Sequence, residues 1–455
     1  MKRQHFLPFY FFTILLFIVA VLLFFGLAYP HHLHYQEQFQ LFLFDSTYVW
    51  EVVRLPGGVA DLLGRFCTQF FLYAWVGALI IAVLLSAVQL LTFRLAKWGW
   101  FYGLTFVPSF LLWLFLLDEN ALLGGVWAVL LTLLAVWGIV KLPHGWARLV
   151  AIIVIIPVLY WMVGPSWYGT HYYRNPAVVP VLLWVAWLSA IVFPLMMRLL
   201  GKHKKNLVTS FMLVAAIMGS FVVRNANFKA ERVMQYDFMA RFQQWNRIFE
   251  TISTEKPNNQ IGVTVQNLAL AMHGMLADHL GEYNQNGIAG LLPDVQRDAT
   301  SPLPTAEVFY QLGMITVAQR TVFEAQEAIL DFQKSGRCYQ RLAQTNLILG
   351  NYEVARKYLL ALQKTLFYRE WATATLPLLG DEEAIAKHPE YGRLRRLTYT
   401  DDFYFGDHVT ADMLERLYDG HTDNRLACEY LKAYYMLTGD RENYVKLLQE
   451  LRVKK

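Results

Sequence analysis

Three carboxylates, Asp45, Glu51 and Asp61, stand in one polar stretch, residues 30–65, between two long apolar segments. Carboxylates gathered in this way can take a proton from an attacking hydroxyl, or hold a divalent cation that grips a phosphate. A second stretch, residues 165–176, is rich in aromatic and hydrogen-bonding side chains. There His171 and Arg174 could hold a lipid phosphate while Trp167 and Tyr172 stack on a sugar ring. Asp45, Glu51 and Asp61 are therefore the candidate catalytic residues, and Trp167, His171, Tyr172 and Arg174 the candidate substrate-binding ones. Each set also has a plainer reading. Asp45 or Ser46 can cap the helix that follows. Glu51 and Asp61 can be solvated or paired with Arg54 and Arg65. Trp and Tyr gather at membrane interfaces whatever the chemistry.

Other chemistries lack their residues. His31, His32 and His34 are close in sequence, but no nearby Cys or His completes a zinc ligand set. Asp118 and Glu119 read as turn residues in water. No phosphate-binding glycine loop, zincin motif or nucleophile elbow is present. Cys67, Cys338 and Cys428 are too few and too scattered for a disulfide framework. The basic run Lys202-His203-Lys204-Lys205 suits anionic lipid, not nucleic acid.

The elements that must position these residues follow from composition. In 455 residues, 56% are hydrophobic and only 16% charged, against about 25% charged in soluble domains. Charge is also unevenly distributed. Residues 1–223 hold 13 of the 40 Lys and Arg and 6 of the 35 Asp and Glu. Residues 224–455 therefore resemble an ordinary soluble domain, and the boundary falls near Arg224. The first part contains seven apolar stretches, Phe9–Tyr29, Phe66–Phe93, Trp98–Leu117, Ala121–Val140, Leu149–Val163, Ala177–Met197 and Leu207–Val223. A span needs about 20 apolar residues, and Leu149–Val163 is the weakest of the seven. Lys and Arg at the stretch ends favour an inside N-terminus, which places residues 224–455 outside, in the periplasm of a bacterium. The segment after Pro30 reads as an amphipathic helix in the interface plane, with Phe39, Phe42 and Leu43 apolar and Glu37, Gln38 and Gln40 polar. Pro56-Gly57-Gly58 then turns the chain before Asp61 and the second span.

In residues 224–455 apolar positions recur at three and four residues, so the domain is helical. One hairpin matches the tetratricopeptide pattern. Tyr339, Leu342 and Ala343 lie on its first helix, Gly350 and Tyr352 at the turn, and Ala355 and Leu359 on its second. Small residues at Ala343 and Ala355 let two helices approach. Cys428–Leu451, with Gly439 at its turn and Lys432 in the small-residue slot, fits less closely. Stacked repeats of this kind offer a concave face for a peptide or protein; a packed helical domain without a groove is the alternative.

Two resemblances bear on function. A long first outer loop carrying acids, with a soluble tail, is similar to membrane glycosyltransferases that use polyprenyl-phosphate sugars, although no Asp-x-Asp diad is present. That resemblance implies a divalent metal; without it no cofactor is expected. The stretches Asn267–Ala271, Gln285–Gly287, Gly290–Pro293 and Arg337–Asn346 through Leu366–Arg369, with Leu55–Gly58, resemble an uncharacterised family of multi-pass inner-membrane proteins from Bacteroidota. This resemblance implies an envelope location and no activity. The expectation is therefore an all-α chain: a polytopic membrane domain of about seven spans, residues 1–223, followed by a periplasmic helical-repeat domain, residues 224–455. It would touch membrane lipid and bind a protein or peptide, with the glycosyltransferase as the alternative.

Overall fold

A computed structural model describes residues 7–96, 102–164, 170–175, 178–199, 207–329, 333–399 and 410–453. The chain is all-helical, and among the described residues the only β pairing is two isolated bridges. It divides into two compact units, Met1–Glu231 and Arg232–Lys455. The first turn of the Phe228–Arg241 helix thus belongs to the first unit, beyond the boundary that the charge pattern suggests.

Among the described residues, five helices of the first unit are long and apolar enough to cross a membrane: Pro8–Ala28, Ala74–Ala96, Gly124–Lys141, Trp146–Val163 and Leu207–Asn225. Two more apolar helices, Tyr102–Phe115 and Val181–Met197, are shorter. The weakest stretch in the sequence thus proves long enough, because its helix begins at Trp146. The stretch Phe66–Phe93 is not one span. It divides into the end of a Gly58–Thr68 helix, a 3-10 turn at Gln69–Leu72 and the Ala74–Ala96 helix, with Tyr73 in an extended conformation between them. The Thr68 hydroxyl donates to Gly64 O and the Gln69 amide to Phe66 O, local bonds of the kind that compete with a continuing helix. The interior is close-packed. The Phe17, Phe106, Phe110 and Trp113 rings meet edge to face or stacked. Where the Gly58–Thr68 and Gly124–Lys141 helices cross, a Cβ on Gly64 would lie 2.5 Å from Gly124 N, so the contact needs glycine.

Residues 30–42 do not lie flat with a wet face. The helix is short, Pro30–Glu37, and Glu37, Gln38 and Gln40 are as buried as Phe39 and Phe42. The buried polar side chains of the same helix, His32 and Gln36, make distant bonds that no local pattern shows. The His32 Nε2–H donates to Leu116 O at 2.9 Å and the Gln36 amide to Ala121 O at 3.0 Å.

The second unit is built from helices joined by tight turns. Pro302–Leu312 turns at Gly313 (φ +92°) into Ile315–Glu327. Gly336–Ile348 turns at Gly350 (φ +81°) into Tyr352–Gln363. Each of these helices packs on the next in chain order, as far as Arg369–Thr375. Such positive φ angles cost glycine little. An ion-pair chain runs through this unit. Arg337 makes a two-pronged pair with Asp237 (2.6 and 2.9 Å), and Arg341 pairs with Glu307 (2.6 Å) while lying 3.7 Å over the Tyr310 ring.

Candidate functional site

Asp45 precedes the Ser46–Val53 helix with extended backbone, and its carboxylate accepts from Thr47 N (2.9 Å) and Tyr48 N (3.2 Å). It is a helix cap. Glu51 is exposed on that helix. Asp61 sits in the first turn of the Gly58–Thr68 helix, where the helix dipole favours an anion. It is buried and paired with Arg65 at 2.7 Å, one turn on. The Tyr48 phenol also bonds Arg65, and burial raises its pKa. The three carboxylates thus occupy a cap, an open helix face and a buried ion pair.

The second candidate stretch folds against the first. Gly57 N donates to Trp161 O (2.9 Å) and the Trp161 indole N–H to Val53 O (2.8 Å). The His171 ring lies so close to Gly57 that a Cβ there would stand 3.1 Å from its Cδ2. Tyr172 is fully buried, and its hydroxyl donates to Val163 O at 2.7 Å; burial, then the Asp61 charge, raise its pKa well above the ordinary phenol. Asp118 does not simply face water: its carboxylate accepts from the Tyr173 hydroxyl (2.5 Å) and from Asn120 N (2.8 Å). The Arg174 guanidinium lies 3.4 Å over the Phe39 ring, a cation–π contact that fixes its plane. Trp167 lies outside the described residues. Of the predicted set, Asp61, His171 and Tyr172 are brought together, whereas Arg174 is turned towards residues 35–40.

Beside Arg174 the cavity that Gln36, Gln40, Thr68 and Glu119 also line has a volume of about 10 Å³, room for about one water. This arrangement orders two loops. Among the described residues, no group of three or more His, Cys, Asp and Glu could hold a metal. The His31 and His34 rings are 5.7 Å apart. His32 is fully buried, and burial holds its pKa down at about 4.

One structural tie escaped the sequence. Glu231 is buried, and its carboxylate accepts from His31 N (2.7 Å) and His32 N (2.9 Å), at the start of a helix that no side chain of its own flank caps. A separation of about two hundred residues leaves no local signal.

In the second unit, Leu342, Ala343, Ala355 and Leu359 are buried in the hairpin of helices Gly336–Ile348 and Tyr352–Gln363. Tyr339 packs edge to face on Tyr358, with ring centroids 5.0 Å apart. Gly350 forms the turn, and Tyr352 bonds Glu382 and Arg395. Lys432, in the Arg425–Thr438 helix, is half-buried and paired with Glu429 at 2.7 Å.

A family model described as a family of unknown function, DUF6057, matches residues 5–170 and 165–455, nearly the entire chain. The chain belongs to the DUF6057 family. No curated protein and no solved structure matches it. The DUF6057 match spans both units, so the apolar helices and the helical domain are parts of one family architecture.

Proposed function

We propose that this DUF6057 protein is a multi-pass protein of a bacterial inner membrane whose second unit is a tetratricopeptide-like domain that binds a protein or peptide in the periplasm. The observation that carries the reading is the run of helices from Pro302 to Thr375, each packed on the next, with the small residues Ala343 and Ala355 fully buried in the central hairpin. Stacks of that kind present long faces to a partner. Exposed Phe323, Val354 and Leu360 on these helices are large apolar groups that a partner could cover. The transferase reading draws no comparable support, because Asp45 and Asp61 already hold a helix start and an arginine.

Two measurements test the proposal. Alkaline phosphatase fused after Lys455 is expected to be active, and a fluorescent protein fused there to be dark; the reverse result places the domain in the cytoplasm. A photo-crosslinker at Phe323 or Leu360 is expected to trap one defined partner in cells. Recovery of no partner from either position would overturn the binding role.

A further inference from the structure

The second unit holds a cavity of about 520 Å³, a size ordinary for a ligand pocket. Its walls come from the start of the Gln260–Met272 helix, the loop before Ser301 and the start of the Pro302–Leu312 helix. Thr264 projects into it. That residue is 2% exposed, and its hydroxyl has no hydrogen-bond partner within the protein, a state that buried polar groups rarely keep. The cavity's chemistry is narrow. It presents the carboxamides of Asn259, Gln260 and Gln296, hydroxyls at Thr264 and Thr305, and apolar surface at Ile261 and Pro304. Among the described residues no Lys, Arg or His lines it, so a phosphate or carboxylate finds no counter-ion there, and no aromatic ring lines it, so a sugar finds no stacking face. The charged lining residue among them is Asp294. A carboxamide carries the same donor and acceptor as a peptide group.

We infer that this cavity binds an extended, neutral or basic peptide segment, its backbone bonded to the Thr264 hydroxyl, the Gln296 amide and the Asn259 Nδ2, while the Asn259 Oδ1 stays on Gly262 N and the Gln260 amide on Ala289 O and Asn286. The inference deepens the proposed binding role and rests on it.

The test uses the full chain in lipid nanodiscs on an array of end-capped random dodecapeptides, with a glycan array in parallel and fluorescence anisotropy for the peptides retained. Ala289 is an exposed residue at the cavity edge, so Ala289→Trp obstructs the opening without touching the core. The expected result is neutral or basic peptides whose affinity falls more than about tenfold in Ala289→Trp, and about fivefold in the shape-conserving Thr264→Val, the loss of one hydrogen bond. Peptide binding indifferent to Ala289→Trp overturns the cavity assignment and leaves the binding role of the domain standing. Binding of glycans in place of peptides, sensitive to Ala289→Trp, overturns the peptide assignment. Absence of any peptide binding overturns the peptide assignment, and crosslinking at Phe323 and Leu360 decides the binding role separately.

Discussion

Glu231 caps the Pro30–Glu37 helix: its two carboxylate oxygens accept from His31 N and His32 N at 2.7 and 2.9 Å. The bond ties the segment after the last apolar helix to the one after the first. A charged acceptor at a helix start combines a cap with a favourable dipole. Glu231→Ala is therefore expected to cost the first unit roughly 1–2 kcal/mol, and Glu231→Gln less. Cys67 supplies the readout, since it is buried in that unit. In a Cys338→Ala/Cys428→Ala background, thiol labelling of Cys67 during heating follows the unit's unfolding, and an unchanged midpoint in Glu231→Ala would contradict the capping role.

His32 predicts a pH dependence of definite sign. Its pKa is held at about 4 by burial, below the ordinary 6.5. Between those values the unfolded chain binds a proton that the folded chain refuses, so stability falls as pH falls. The stabilisation is complete above pH 6.5, and about 3 kcal/mol is lost by pH 4. The slope of the Cys67 labelling midpoint over that interval should flatten in His32→Asn.

The carboxylates of the first loop should rank by structural employment. Asp61→Asn leaves the buried Arg65 without its counter-ion and should cost roughly 3 kcal/mol. Asp45→Ala should cost about 1 kcal/mol through the lost cap, and Glu51→Gln less than about 0.5 kcal/mol. Midpoints in that order support positions that shape the loop. A catalytic base would show the opposite pattern, with function lost at one site and the folded amount unchanged.

What the sequence showed depended on distance along the chain. Helix type, turn glycines such as Gly350 and Gly439, and the Asp45 cap are written within a few residues, so periodicity and turn chemistry sufficed for them. The burial of Glu37, Gln38 and Gln40 is not, because polar letters read as solvent-facing while their neighbours bond Leu116 and Ala121, about eighty residues on. The break at Tyr73 was hidden for a related reason: an apolar run says nothing of side chains that bond back to their own helix. Of the candidate site, the meeting of Asp61 with His171 and Tyr172 required the folded loops, and the Glu231 cap had no sequence signal.

In the second unit, Arg341 and Glu307 form a buried pair at 2.6 Å. Arg341→Met strands Glu307, whose other cation, Arg337, is 3.8 Å away, and should cost roughly 3 kcal/mol. The double variant Arg341→Met/Glu307→Leu should lose less than the two single losses combined, by at least about 1 kcal/mol. Labelling of Cys338, fully buried in this unit with its thiol pushed up to about 11, gives the midpoints once Cys67 and Cys428 are Ala.

The Trp146–Val163 helix is fastened at its ends. Arg148 bonds Ile139 O and Val140 O near its start, and Trp161 and Val163 meet Gly57 N, Val53 O and the Tyr172 hydroxyl near its finish. Between those fastenings Ile153, Val154 and Ile156 are each more than half exposed. At about 1.5 Å per residue, its 18 residues measure about 27 Å, slightly less than a typical hydrocarbon core. If this helix crosses a bilayer as proposed, acyl chain length becomes a variable of the unit's stability. A thin bilayer matches the strut, whereas a thick one must compress around it or strain its moorings.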